Sequence, residues 1–373
     1  MSSDLLSIFS SVTDARRGEA KQYVLPNILL FCIFGILSGA RSYAKLASFM
    51  EERFELLQAA FPSRMKRAPV ASTLWRILGK VGAAELETAF RKHAGGLHRA
   101  RGGGPGDLIA YDGKSEKGSY DTAADVKMSQ LLRAFAVGTE IILGHIAIME
   151  KSNEIPAMQI LLRELGLAGA VSTADAMHCQ VKTVEAAKES GGDALLQVKG
   201  NQPSLAAAFE ALPDKQKPSD THVEKGKIAR NRQETREIDV FKAGDVLDLP
   251  EWKTHAIEAV RVTRTVMHRD VATGLRWKKT HEVAWYTSTQ DGIGAKYYAN
   301  ATRGHWGIEN RVHYVLDVSM HEDASRVRKS PNILSTLRSF ALNILRYNRV
   351  GNVADAIWRN TMNFNRVLAY AGT

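Results

Sequence analysis

The sequence predicts an α/β fold, with a strand-bearing middle region flanked by helical segments. Three observations predict it. Apolar positions near both ends of the chain recur at helical spacing. From Asp107 the pattern changes to short apolar runs separated by turn residues. Two of those runs end in an aspartate, Leu108-Ile109-Ala110-Tyr111-Asp112-Gly113-Lys114 and Ala170-Val171-Ser172-Thr173-Ala174-Asp175-Ala176. Such runs suit buried central strands, with Gly113 letting the backbone turn after the first. A carboxylate at a strand's open end can face a cleft without burying an unpaired charge. One Asp-Gly pair alone is more simply a turn; two acid-ended strands in a basic chain point to a metal-dependent phosphate site.

Residues 1–97 read as a helical domain. Ile28 to Leu37 is apolar nearly all round, with Pro26 before it and Gly39 after it, the punctuation of a buried helix. Tyr43, Leu46, Ala47 and Met50 share one helix face, as do Leu74, Ile77, Leu78 and Val81, where Ser72 or Thr73 can cap. Arg76 and Lys80 lie on the outer face of that second helix, and Arg64, Lys66 and Arg67 precede it. They fit a helix-turn-helix on DNA, or equally a helical bundle with a solvated basic face. His98 to Gly106 has the glycine content of a linker.

The next region, 107–202, carries three strands: the Asp112 run, then Leu131 to Val137 and Ile141 to Met149 as a hairpin around Gly138-Thr139-Glu140. A helix follows, capped by Ser152 or Asn153 with Pro156 in its first turn; then come the Asp175 strand, a helix over Val181 to Glu189, and a strand from Ala194 to Lys199. The order β-β-β-α-β-α-β is that of a ribonuclease-H-like sheet covered by helices. Residues 203–297 read as a mostly β insertion, with strands at Ile238 to Phe241, Thr254 to His268 and Trp277 to Thr287, a Thr273-Gly274 turn, and a basic edge at Arg230, Arg232 and Arg236. Residues 298–373 return to helix. Glu309 has His305 and His313 four residues to either side. Ser330-Pro331 opens a last helix whose buried stripe is Ile333, Leu337, Phe340, Ala341, Ile344 and Leu345, with Arg338, Arg346 and Arg349 outside.

Composition narrows the partners. Of 373 residues, 50 are Lys or Arg and 40 Asp or Glu, a net charge of +10 that favours a polyanion, nucleic acid before membrane. Two distant cysteines, Cys32 and Cys179, provide neither a disulfide framework nor a zinc site, and a reducing cytoplasm is the default. The start lacks a signal-peptide pattern, and the Ile28 to Leu37 run is too short to span a bilayer.

Cutting DNA requires an activated attacking oxygen and a neutralised leaving oxygen. Two Mg²⁺ or Mn²⁺ ions do both, held by carboxylates. Asp112 and Asp175 supply two ligands from separate strands. Glu309 is the chosen third, with Asp317, Glu322 and Asp323 as rivals and an ion pair to Arg303 as its plain structural role. The His305-Glu309-His313 face also suits a zinc site, but it lacks the H-E-x-x-H spacing. Ser or Cys nucleophiles are weaker still: there is no G-x-S-x-G, and Cys179 has only His178 beside it.

Tyr111-Asp112-Gly113-Lys114, Glu150-Lys151-Ser152-Asn153-Glu154-Ile155, Thr173-Ala174-Asp175-Ala176-Met177, Val198-Lys199-Gly200-Asn201-Gln202, Arg303-Gly304-His305-Trp306-Gly307-Ile308-Glu309-Asn310 and Leu316-Asp317-Val318 together resemble the DDE transposases of bacterial insertion sequences, in the branch that includes the H-repeat-associated proteins. The resemblance spans nearly the whole chain. It implies a ribonuclease-H-like catalytic domain with a β insertion before the last acid, and metal-dependent DNA cleavage and strand transfer. It implies Asp112, Asp175 and Glu309 as the catalytic and metal-binding acids. Lys199, Asn201 and Gln202 match a block expected to support DNA or the active site. Related branches place Arg four residues before the Glu and Lys seven after it; here His305 and Leu316 stand there, and Arg303 or Arg311 is the expected substitute. Expected partners are insertion-sequence ends and target DNA, bound by a dimer or higher oligomer in the cytoplasm and nucleoid. A transposase-derived DNA-binding protein without activity, and a nuclease that cuts without joining, are the alternatives.

Overall fold

The computed structural model describes residues 5–18, 21–116, 129–148, 154–229, 231–244, 246–269, 277–325 and 331–373. The chain opens with helices α1 (Leu5–Phe9), α2 (Leu25–Leu37), α3 (Tyr43–Glu52), α4 (Phe54–Ala60), α5 (Ala71–Leu78) and α6 (Ala83–Ala100). Then come β1 (Leu108–Glu116), β2 (Ser129–Ala136), β3 (Ile141–Ile148), α7 (Glu154–Leu165), β4 (Val171–Ala174), α8 (Val181–Glu189) and β5 (Asp193–Val198), in the predicted order. The predicted insertion holds α9 (Pro203–Glu210), α10 (Leu212–Lys215), β6 (Asp220–Lys225), β7 (Arg232–Lys242), β8 (Glu258–Arg269) and β9 (Trp277–Ser288). The last helices are α11 (Ala295–His305), α12 (Pro331–Tyr347), α13 (Val353–Met362) and α14 (Asn365–Leu368). The expected caps Ser152 and Asn153 and the Thr273-Gly274 turn lie outside the described residues, as do Arg230 and Ser330. No described helix is long and apolar enough to cross a membrane.

The chain forms two compact units. The first comprises residues 1–104, 112–157 and 308–373. Its core surrounds α12, which packs on α2, α6, β2 and β3. Phe340 lies at the centre, with edge-on rings from Phe9 at 5.3 Å and Phe90 at 4.9 Å. The predicted stripe of α12 is buried, and so are Arg338 and Arg346, which the sequence placed outside; only Arg349 of the three is exposed. A helix surrounded by other elements has no solvent face, so its arginines need internal partners. Arg346 donates to the Arg311 carbonyl and sits 3.5 Å from Glu140.

Two local expectations change. Helix α5 begins at Ala71, before Ser72 and Thr73, because the Val70 carbonyl accepts from both Thr73 and Leu74; no side chain caps it. Helix α6 runs through His98 to Ala100, so the non-helical connection starts later than predicted. His98 is buried there, its Nδ1 2.7 Å from Thr139 Oγ1 in the β2–β3 turn.

Also on α6, His93 is wholly buried, and its Nε2 donates to the Gly372 carbonyl at 2.7 Å. Burial pushes its pKa down to about 4, with the Gly372 bond opposing. The folded state therefore resists the proton that the unfolded chain accepts near pH 6.5. Stability is complete above that value and declines as pH falls towards 4, by roughly 3 kcal/mol in all. His93→Gln keeps a donor for Gly372 without titrating, and should flatten urea-midpoint stability across that window.

The second unit comprises residues 105–111 and 158–307. Strands β1, β4 and β5 run parallel, with Leu108–Tyr111 in register with Val171–Ala174. The insertion is not a separate sheet: β9 pairs antiparallel with β5, and β8, β7 and β6 follow in turn. Val171 and Leu195 share one core with Val260, Val262 and Tyr298 of α11. Strand β6 escaped the sequence reading because its residues, Asp-Thr-His-Val-Glu-Lys, carry little apolar alternation.

Candidate active site

Asp112 lies within the first unit, on β1 immediately after Tyr111, and its side chain is 23% accessible. The strand does not turn at Gly113 but continues to Glu116. A Cβ at Gly113 would meet the Glu154 carboxylate, the mobile end of a long side chain, so any larger residue there would displace that carboxylate. In the same unit, His313 Nδ1 sits 3.2 Å from Asp112 Oδ2.

Asp175 lies in the second unit, immediately after Ala174, the last residue of β4, with its side chain 58% accessible. A single 3₁₀ turn, Ala176–His178, follows. Asn201 donates to the Ala176 carbonyl at 2.7 Å and Gln202 to the Cys179 carbonyl at 2.9 Å. Two of the three motif residues after β5 thus pin the turn that carries Asp175, while Lys199 remains exposed. A hydrogen bond from His305 holds the Asp175 carboxyl below the usual range against the opposing effect of burial, and the charges of Lys199 and His178 add to it.

The candidate third acids sit in distinct surroundings within the first unit. Glu322 is buried and bound by Arg133 at 2.9 Å. Lys114 lies 2.5 Å from Asp317 and 3.7 Å from Asp323. Glu309 is exposed, and among the described residues nothing pairs with its carboxylate. Arg303, named in its plain structural role, pairs with Glu224 at 2.6 Å within the second unit. Around Glu309 the regular helix gives way to π-turns at Glu309–His313 and Val315–Ser319, a geometry frequent at functional sites. The i, i+4 face expected of one α-helix is therefore interrupted: α11 ends at His305. Leu316 is core, and Arg311 pairs with Glu140 at 2.7 Å.

Among the described residues no group of three or more His, Cys, Asp or Glu side chains is gathered to hold a metal. The donor chemistry nonetheless fits Mg²⁺, which takes one or two carboxylates and completes its shell with water and substrate phosphate. Asp175 is held ionised and reaches solvent, as does Glu309.

A serine-type constellation does occur elsewhere in the first unit. His145 has Nδ1 2.8 Å from Glu87 and Nε2 2.9 Å from Ser339 Oγ. Ser339 is fully buried, so no substrate reaches it; the array ties α6 and β3 to α12. Burial also pushes the Cys179 thiol up to about 12, which removes it as a nucleophile.

Of the basic residues singled out in the helical start, Arg64 donates to the Lys21 carbonyl. Lys66, Arg67, Arg76 and Lys80 are exposed and have no ion pair among the described residues. Arg232 and Arg236 of the insertion's basic edge share one counter-ion, Glu234, at 2.8 and 2.7 Å, and Arg264 lies 3.2 Å from the same carboxylate.

Residues 99–344 match the family described as "Transposase DDE domain", and residues 6–94 match the region described as "DDE_Tnp_1-associated". The "H repeat-associated putative transposase YhhI" of Escherichia coli is 30% identical over 353 residues, covering 93% of this chain and 91% of that one. The "Putative transposase YncI" of the same species is 32% identical over 356 residues, covering 92% and 87%. The chain belongs to the DDE transposase family.

Proposed function

We propose that this protein cuts DNA at the ends of an insertion sequence and joins the freed ends to a target, using Asp112, Asp175 and Glu309 as ligands for two Mg²⁺ or Mn²⁺ ions. One observation carries the proposal. Strands β1 and β4 run parallel, Tyr111 is in register with Ala174, and the residue that follows each of them in the chain is an aspartate. Two carboxylates following one register pair are a donor set for hard divalent ions. Glu309 completes it as the acid that no other described side chain neutralises.

The ions, when bound, activate the attacking oxygen and stabilise the leaving one. The protein's own residues do the rest. Asn201 and Gln202 fix the turn that carries Asp175. Lys199 supplies positive charge beside it, suited to a DNA phosphate. Lys66, Arg67, Arg76 and Lys80, with Arg64, contact the backbone of the element's ends. Arg303 and His305 lie next to the scissile strand, with Arg303 exchanging Glu224 for phosphate.

The test is incubation with duplexes carrying the flanking DNA ends, plus Mg²⁺ or Mn²⁺, with cut and joined strands mapped at nucleotide resolution. Both products should form, and Asp112→Asn should abolish both while leaving DNA retention intact. Cleavage without joined strands would leave a nuclease, and DNA binding without cleavage would leave an inactive descendant. Replacing Lys66, Arg67, Arg76 and Lys80 by Ala should flatten the salt dependence of binding, by about 0.9 in log–log slope for each phosphate no longer neutralised. An unchanged slope would remove the helical start from the DNA interface.

A further inference from the structure

We infer that His313 and His305 are positioning residues, one for each aspartate: His313 orients Asp112 and His305 orients Asp175 for metal binding. The inference rests on the metal-ligand assignment proposed above. Each pair lies within a single compact unit.

The two pairs have a common construction. His313 Nδ1 is 3.2 Å from Asp112 Oδ2, with the histidine side chain 8% accessible and the aspartate 23%. His305 Nε2 is 3.4 Å from Asp175 Oδ1, with accessibilities of 11% and 58%. In both, a buried ring forms the wall and the carboxylate is the more exposed partner. The other ring nitrogens, His313 Nε2 and His305 Nδ1, are buried with no hydrogen-bond partner among the described residues.

That asymmetry selects the tautomer. A neutral imidazole has one donor and one acceptor nitrogen. With the proton on the buried nitrogen, an N–H would go unsatisfied and a lone pair would face a carboxylate. With the proton on the nitrogen nearer the aspartate, only a weak acceptor is left unpaired. Each ring therefore presents its N–H to the carboxylate, and holds one oxygen while the other stays open to an ion. The same geometry argues against either ring as a direct ligand: one nitrogen faces the aspartate and the other is sealed in the interior. Partners that hold a ligand in orientation typically change metal affinity by about 10- to 100-fold.

The two pairs use different ring nitrogens, which gives the test its specificity. An Asn amide can reproduce a donor at the Nδ1 position and a Gln amide one at Nε2. Mn²⁺ binding is measured by electron paramagnetic resonance on the full chain bound to pre-cleaved end DNA without target, alongside the melting temperature. His313→Phe and His305→Phe should each weaken binding about 10- to 100-fold. His313→Asn should restore more affinity than His313→Gln, and His305→Gln more than His305→Asn. Asp112→Asn is the control. If it weakens binding but the Phe variants bind as wild type, the positioning role is wrong and the ligand assignment stands. If Asp112→Asn itself binds as wild type, the ligand assignment fails and this inference fails with it. Should a Phe variant not fold, the Asn and Gln pairs decide: equal affinities within each pair overturn the inference.

Discussion

Glu309→Gln is expected to lower the single-turnover cleavage rate by about a thousandfold or more, since losing a metal ligand removes several kcal/mol of transition-state stabilisation and each 1.36 kcal/mol is tenfold. Fold stability should barely change. The substitution keeps size and polarity, and Glu309 is exposed with no described partner to strand. Its neighbours should behave in the opposite way. Asp317→Asn and Asp323→Asn weaken the ion pairs of Lys114. A partly exposed pair of that kind is worth little in stability, about 1 kcal/mol or less, and its loss should slow cleavage far less than loss of Glu309. The measurement is cleavage of pre-bound end DNA in Mg²⁺, with a thermal melt of each variant. A Glu309→Gln enzyme that cuts at the wild-type rate would hand the third position to one of the other acids.

Much of this arrangement was legible in the sequence where local pattern and tertiary role coincide. The two acid-ended runs became adjacent parallel strands because each is only a few residues long between turn residues, enough for a buried strand and too short for a buried helix. Helix α2 formed where Pro26 and Gly39 bracket it. Errors arose where the partner is distant in sequence. Arg338 and Arg346 occupy ordinary outer positions of an amphipathic helix, and nothing local reveals that α12 is enclosed on all sides. Likewise His305 and His313 were visible as a pair flanking Glu309, yet their contacts with Asp175 and Asp112 span 130 and about 200 residues of chain. One long-range pair did leave a trace: Arg133 is a lone charge within the apolar run Leu131 to Val137, which calls for a buried counter-ion.

That counter-ion is Glu322, and Arg133→Met is expected to destabilise the protein by about 3–5 kcal/mol, the usual cost of leaving one member of a buried ion pair behind. Arg133 is completely buried and Glu322 is 1% exposed. Arg133 Nη2 donates to both Glu322 oxygens at 3.0 and 2.9 Å and approaches Ser335 Oγ at 3.0 Å. Burial alone would raise the Glu322 carboxyl, but the charges of Arg133 and Arg338 outweigh it and hold the group below its ordinary value. The carboxylate is therefore ionised in the interior, and its stability depends on Arg133. Removing the cation exposes that dependence, whereas removing both charges does not. Arg133→Met combined with Glu322→Leu should recover most of the loss, because apolar side chains of similar volume replace a buried pair at little net cost. Urea denaturation of the wild type, both single variants and the double variant closes the cycle. A coupling energy near zero would mean that Arg338 alone suffices for Glu322. A large one would establish that Glu322, although it lies beside Asp323 in the chain, serves the fold, leaving its carboxylate unavailable to a metal ion.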